Sequence, residues 1–298
     1  MIVIIGASGN IGSQLYSEAT RAGKNVVGTS FSRSEPHFKR FDMRTDTIEK
    51  IAPCLDEKDC VYLLSGFTNP NWIYQNPEKS QKLNVEATLS TIDQIFECRA
   101  KLIFVSTELV FNGARGGYTE ADNVSPTTLY GRQKAAVEAH IQASEGRWNI
   151  VRTGATITRK MNGNCPVEKT FKTLLEGNAR IARDNIFTIT DIRDTCFSLL
   201  KMADYPSRGI YHVVSGPPVT RIELADWIIE KSRFGNRMAY KACRFEEIPY
   251  PEERPRISWL SNKKLQSVES RLFTRPFDAV AEKIDLIDLD YLKKEKAI

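Results

Sequence analysis

MIVIIGASGNIG, residues 1–12, joins a short apolar, β-branched run to a glycine-rich turn. Met1 to Ile5 has the composition of a strand buried on both faces of a parallel sheet. Gly6-Ala7-Ser8-Gly9-Asn10-Ile11-Gly12 follows with the spacing G-x-x-G-x-x-G, and Ile11, Leu15 and Ala19 then recur at helical spacing until Gly23. Strand, glycine turn and helix in this order form a cradle for the pyrophosphate of a dinucleotide. Glycines let the backbone approach closely, and the helix directs its first amides and positive dipole end at the anion. Gly6, Ser8, Gly9, Asn10, Ile11 and Gly12 are the candidate cofactor residues of this turn.

Outward from the turn, strand-like runs recur at residues 25–30, 59–65, 101–106, 149–152 and 209–215. Helical stretches fall between them, around 85–98, 130–143 and 192–202. This alternation predicts right-handed crossovers and an α/β doubly wound parallel sheet of the Rossmann type. After Gly154 the pattern loosens: Thr156 to Pro166 reads as a loop, and from Pro217 helices dominate, broken by Pro249, Pro251, Pro255 and Pro276. The expected organisation is a dinucleotide-binding domain from residues 1–155 with 186–215. A small substrate-binding lobe comes from residues 156–185 with 216–298.

The 298 residues are 41% hydrophobic and 27% charged, with a formal net charge of +5. That is the profile of a globular chain with a full core, and no dense basic stripe with interleaved aromatics points to nucleic acid. The six cysteines form no C-x-x-C pair and do not cluster with the three histidines, which argues against a zinc site or disulfide framework and fits a reducing compartment. No basic leader precedes the first strand and no apolar run would span a bilayer, so a cytoplasmic location without membrane contact is expected.

Sites specific for NAD place an acid near the end of the second strand, roughly 20 residues beyond the turn, to hold the ribose hydroxyls. Here Thr29-Ser30-Phe31-Ser32-Arg33 stands there, with no acid before Glu35. Ser30, Ser32 and Arg33 are candidates for a 2′-phosphate, so NADP(H) is favoured over NAD(H). Asp42 and Met43 are candidates for the adenine edge. Ligands of this fold bind outside the carboxyl ends of the strands, where Ser65-Gly66-Phe67 and Thr107-Glu108 fall.

Tyr130 and Lys134 lie four positions apart at the start of a predicted helix and share a face. A cationic Lys134 would lower the pKa of the Tyr130 hydroxyl. Tyr130 would then protonate a carbonyl oxygen, and Thr107 would donate a hydrogen bond to that oxygen as charge develops.

These pieces resemble the extended short-chain dehydrogenase/reductase superfamily, and within it the dTDP-4-dehydrorhamnose reductase family. The matching segments are Gly6–Gly12, Ser106–Phe111, Tyr130–Lys134, Val151–Thr153, Arg254–Leu260 and Lys264-Leu265, spread over most of the chain. The resemblance implies Thr107, Tyr130 and Lys134 as the catalytic set. It also implies Tyr130, Lys134 and Thr153 beside the cofactor, and a nucleotide-diphosphate-linked 4-keto-deoxy sugar as substrate.

Related dehydratases follow the threonine with an Asp-Glu pair. Here Glu108-Leu109 follows, so dehydration is not expected. Glu108 stands where the family has Asp, and Leu109 replaces a tyrosine. Gln14 occupies a position at which some members carry a magnesium-binding glutamate, so no metal is predicted. Phe67, Glu108, Val110, Phe111 and Arg256 are the candidate substrate residues. Lys172, Arg180 and Arg254 are further cations available for a diphosphate.

Two other readings stay open: an epimerase acting on a nucleotide sugar, and a catalytically silent NADP-binding subunit like the regulatory subunits of methionine adenosyltransferase. A homodimer is the assembly to test.

Overall fold

The computed structural model describes residues 1–31, 35–163 and 165–295. Its strands are β1 (Ile2–Ile5), β2 (Val26–Ser30), β3 (Lys39–Arg40), β4 (Cys60–Leu63), β5 (Lys101–Thr107) and β6 (Trp148–Thr153). The short β7 (Ala155–Ile157), β8 (Ala179–Ala182), β9 (Ile186–Phe187) and β10 (Ile189–Asp191) come next, then β11 (Gly209–Val213), β12 (Val219–Thr220) and β13 (Tyr240–Cys243). Seven of these form one sheet in the order β11-β6-β5-β4-β1-β2-β3. Every neighbouring pair in it is parallel. The direction of winding reverses between β1 and β4, which opens a crevice at their carboxyl ends.

The period of two along each strand sorts apolar side chains to opposite faces. Val3, Ile5, Val61, Leu63, Leu102 and Phe104 share one cluster with Ile92, Ile95, Val137 and Ile141. Ile2, Ile4, Tyr62, Ile103 and Val105 share another with Leu15, Ala19, Ile192 and Leu199. The helices that cover the sheet are thus α1 (Asn10–Arg21), α4 (Thr88–Glu97), α5 (Leu129–Ala143) and α7 (Ile192–Lys201), separated in chain order by α2 (Pro70–Gln75), α3 (Pro77–Gln81) and α6 (Pro166–Leu175). Near-continuous apolar strands need this two-sided cover.

A third cluster gathers Ile157, Phe171, Leu174, Ile189, Leu224, Ile228, Val280 and Ile284. It joins α6 to α8 (Arg221–Lys231) and to α10 (Pro276–Glu295), which follows the short α9 (Lys263–Val268). The Thr156–Pro166 stretch is not all loop. Its first residues belong to β7, which pairs with β10, and Pro166 opens α6. Pro276 likewise begins a helix rather than breaking one, since the first helical position needs no N–H donor. Among the described residues no helix is long and apolar enough to cross a membrane.

Candidate active site

Gly6 has φ +92°, and a Cβ there would lie 2.9 Å from the Ser65 backbone nitrogen. At Gly12 a Cβ would sit 2.2 Å from the Gly6 carbonyl oxygen, so only glycine allows α1 to start this close to β1. Gly9 closes the turn by donating its N–H to the Gly6 carbonyl at 3.1 Å. Ser30, the last residue of β2, donates its hydroxyl to the Ser8 hydroxyl at 3.0 Å, tying the turn to the neighbouring strand.

A cleft of about 370 Å³ opens beside this turn, lined by Gly6, Ser8, Gly9, Asp42, Met43, Ser65, Gly66 and Phe67 among others. Asn10 and Phe67 also line a second cleft of about 680 Å³, with Trp72 and Lys169 on its other walls. Asn162 reaches across from the segment before α6 and donates to the Asn10 side chain at 2.7 Å. Ile11 is turned partly into the sheet core. The sequence candidates Ser32 and Arg33 lie outside the described residues.

Arg44, absent from the sequence candidates, also lines the first cleft. Its guanidinium grips Asp42 with two hydrogen bonds of 2.8 Å. That grip holds the Asp42 carboxyl below its usual range.

The other end of the crevice is built by a close approach of α5. A Cβ on Gly131 would come within 2.1 Å of the Leu109 carbonyl oxygen, so the glycine after Tyr130 lets the helix touch the turn that follows Thr107. Thr128 caps the helix by accepting from the Gly131 N–H at 2.9 Å. Tyr130 and Lys134 are both buried here. The Lys134 ammonium donates to the Val105 carbonyl at 2.9 Å and lies 4.4 Å from the centre of the Phe104 ring. Thr107 donates to Glu108 Oε2 at 3.2 Å and accepts from the Leu109 N–H. Thr153 is the register partner of Thr107 on β6.

Burial governs titration at this end. It pushes the Glu108 carboxyl up to about 7 and the Lys134 ammonium down to about 8. It raises Tyr130 above its ordinary value, and the Glu108 carboxylate adds to that rise. The lowering expected from Lys134 is therefore overturned: desolvation of the phenolate, with the nearby acid, raises Tyr130 instead. Tyr130 is a neutral phenol, the form that holds a proton to give.

The remaining sequence candidates divide. Phe67 is exposed on the wall between the two clefts, its ring 4.3 Å from that of Trp72. Val110 and Phe111 are fully buried in a small core with Tyr118, Val214 and Leu260, so they pack and cannot line the cleft. Phe111 stacks on Tyr118 at 4.3 Å and lies 5.0 Å from the Arg152 guanidinium. Arg256 pairs with Asp184 and Arg180 with Glu247, both at the surface. Arg254 bonds to the Asn71 side chain, and its Nε is buried without a partner.

Three further contributors were absent from the sequence candidates. Arg221 lies over the Phe187 ring at 3.9 Å, close enough to Glu108 for its charge to oppose the rise of that carboxyl. Asn84 and Gln133 form a buried chain. Asn84 accepts from the Phe67 N–H at 2.8 Å, then donates to the Phe67 carbonyl at 3.0 Å and to Gln133 at 2.9 Å. Gln133 in turn donates to Ser80 at 2.9 Å. Asn84 sits in a π-helical turn, Lys82–Ala87, a feature that often marks functional sites. An asparagine inside an otherwise helical run was the signal available for it.

A family model for the RmlD substrate binding domain matches residues 1–284. A dTDP-4-dehydrorhamnose reductase of Mycobacterium tuberculosis is 25% identical over 271 residues, covering 88% of this chain and 85% of its own. Methionine adenosyltransferase 2 subunit beta of Rattus norvegicus is 24% identical over 243 residues, covering 75% and 70%. Among solved structures, a dTDP-4-dehydrorhamnose reductase from Bacillus anthracis in complex with NADP superposes with a TM-score of 0.79 at 21% identity, covering 94% of this chain and 97% of its own. MoeE5 in complex with UDP-glucuronic acid and NAD gives a TM-score of 0.82 at 20% identity, covering 97% and 99%. These two likenesses show the shared fold.

Proposed function

Since the chain belongs to the RmlD substrate binding domain family, in the extended short-chain dehydrogenase/reductase superfamily, we propose that it is an NADP(H)-dependent reductase of a nucleotide-diphosphate-linked 4-keto-deoxy sugar. The observation that carries this reading is the packing of the Tyr130 turn onto the Thr107–Leu109 turn, made possible by Gly131. The turn from Gly6 to Gly12, where side chains at both glycines would strike the backbone, brings the start of α1 up against β1 and suits a dinucleotide pyrophosphate. A bound nicotinamide supplies the hydride.

The protein supplies position and protons. Tyr130 gives its proton to the carbonyl oxygen, and Thr107 stabilises that oxygen with a hydrogen bond. The ammonium of Lys134, anchored on the Val105 carbonyl, keeps donors in reserve to orient the ribose and to support the phenolate left behind. Arg254, whose guanidinium reaches Asn71 on α2 and whose Nε has no partner, is the lobe cation assigned to the substrate diphosphate in this reading.

The test is NADPH oxidation, followed by absorbance, across a panel of nucleotide-linked 4-keto sugars. Tyr130→Phe should lower turnover by about 10²- to 10⁴-fold and leave cofactor affinity nearly intact. Wild-type turnover in that variant would remove the proposed proton donor. NADPH binding without turnover on any sugar would favour the silent-subunit reading, for which the methionine adenosyltransferase subunit is the precedent.

A further inference from the structure

On the reductase reading above, we infer that Glu138 is a positioning residue of the reaction: held in place by Arg152, it keeps the Lys134 side chain an ammonium ion. Tyr130, Lys134 and Glu138 follow one another at four-residue spacing on α5, and all three are buried. Glu138 is 1% exposed and Arg152, on β6, is 2% exposed. The Arg152 guanidinium grips the carboxylate through Nη2 at 2.7 Å and through Nε at 3.1 and 3.2 Å. Across the ladder from Arg152 stands His212 of β11. Its Nε2 lies 3.4 Å from Arg152 Nη1, and its Nδ1 lies 3.2 Å from the Ser261 carbonyl. Burial and the neighbouring arginine push His212 down to about 3, so it brings no charge to the cluster.

Packing alone does not call for this pair. Val137 and Ile141, on the same helix, fill their buried positions with apolar side chains. Taking two charges out of water commonly costs more than their attraction returns, and well-packed apolar residues often replace such a pair without loss. What an apolar residue cannot supply is a negative charge one turn from a desolvated ammonium. Burial drives Lys134 towards the neutral amine, and the Glu138 carboxylate opposes that fall. The other contacts of Lys134 among the described residues, the Val105 carbonyl and the Phe104 ring, carry no full charge. Glu108 acts at the start of the helix, where it bears on the Tyr130 phenol. Glu138 is thus the counter-ion of Lys134, and Arg152 fixes where that charge stands.

The experiment follows Lys134 in the full chain by carbon NMR of isotopically labelled lysine side chains, its signal identified by its absence in Lys134→Arg. The pH dependence of turnover with NADPH and a nucleotide-linked 4-keto sugar is measured alongside. Lys134 loses its proton at about 8 in the wild-type chain, and Glu138→Gln should bring that about 1–2 pH units lower. Turnover should then fall about 5- to 50-fold at pH 8 and stay within about twofold at pH 6. Glu138→Asp, which keeps the charge, should retain most of the wild-type profile.

The double variant Glu138→Gln/Arg152→Met separates charge from packing. It should melt close to wild type while Lys134 still titrates low. A Lys134 titration that returns to the wild-type value there would make Glu138 no more than a cap on Arg152, and would overturn the inference. So would an unmoved titration in Glu138→Gln. If no sugar is reduced but Glu138→Gln moves Lys134, the reductase reading fails and the charge assignment stands. If turnover is found and Lys134 does not move, only this inference fails.

Discussion

The two ends of the crevice manage charge by opposite means. At the Tyr130 end the ionisable groups are buried and sparsely paired, so desolvation sets their protonation: Glu108 is driven up, Lys134 down and Tyr130 up. At the Asp42 end the groups stand in reach of solvent, and pairing sets it: Arg44 depresses Asp42. The same residue types therefore do different work. A desolvated carboxyl at one end is poised to exchange protons near neutrality; a carboxylate at the other is fixed and answers to salt. The wall between them is the Gly66-Phe67 loop, which Asn84 fastens from behind.

Removing that fastening should have the largest effect. Asn84→Ala leaves both backbone groups of Phe67 and the Gln133 carbonyl without their partner. Unfolding by denaturant should show a loss of roughly 2–3 kcal/mol, and affinity at both ends of the crevice should fall together. A stable variant with one end unaffected would mean that the loop is held by other contacts.

Next is Glu108→Gln. Glu108 titrates at about 7 in the folded chain against an ordinary value of 4.5, so the folded state holds a proton in that window that the unfolded state has released. Stability from this group therefore falls as pH rises from 4.5 to 7, and the penalty is complete above 7. The glutamine variant should be more stable than wild type by about 1–2 kcal/mol at pH 8 and equal to it at pH 4, with little dependence on salt. An unchanged pH profile of stability would place the titrating group elsewhere.

The smallest effect belongs to Asp42→Asn, which breaks a pair whose arginine is half exposed. Melting at neutral pH should show a cost under about 1 kcal/mol, smaller still at high ionic strength. A large, salt-independent loss would erase the contrast between the two ends.

Much of this was legible beforehand because strand and helix periods write themselves locally. The runs around Ile2–Ile5, Lys101–Thr107 and Trp148–Thr153 are strands buried on both faces and read as such. The glycine turn and the Tyr130 helix announce themselves by spacing. What escaped depends on partners distant in the chain. Asn84 meets Gln133 only because α5 folds against the turn after α3, and Arg44 finds the cleft only through the two-residue strand β3. Val110 and Phe111 misled for a related reason: they follow Thr107 closely in sequence, but the chain turns them inward against Tyr118. The sign of the Tyr130 shift was hidden too, since a sequence lists neighbours and not how dry they are.

The far edge of the sheet has a consequence for synthesis on the ribosome. β6 ends at Thr153, but its outer neighbour β11 begins only at Gly209. At roughly 5–20 residues per second, several seconds separate the emergence of the two. Throughout that interval β6 presents an unpaired ladder carrying Ile150 and Val151, residues destined for full burial. An open apolar edge is a template for other chains. While the intervening lobe segment is being made, that edge is the one a chaperone would have to shield.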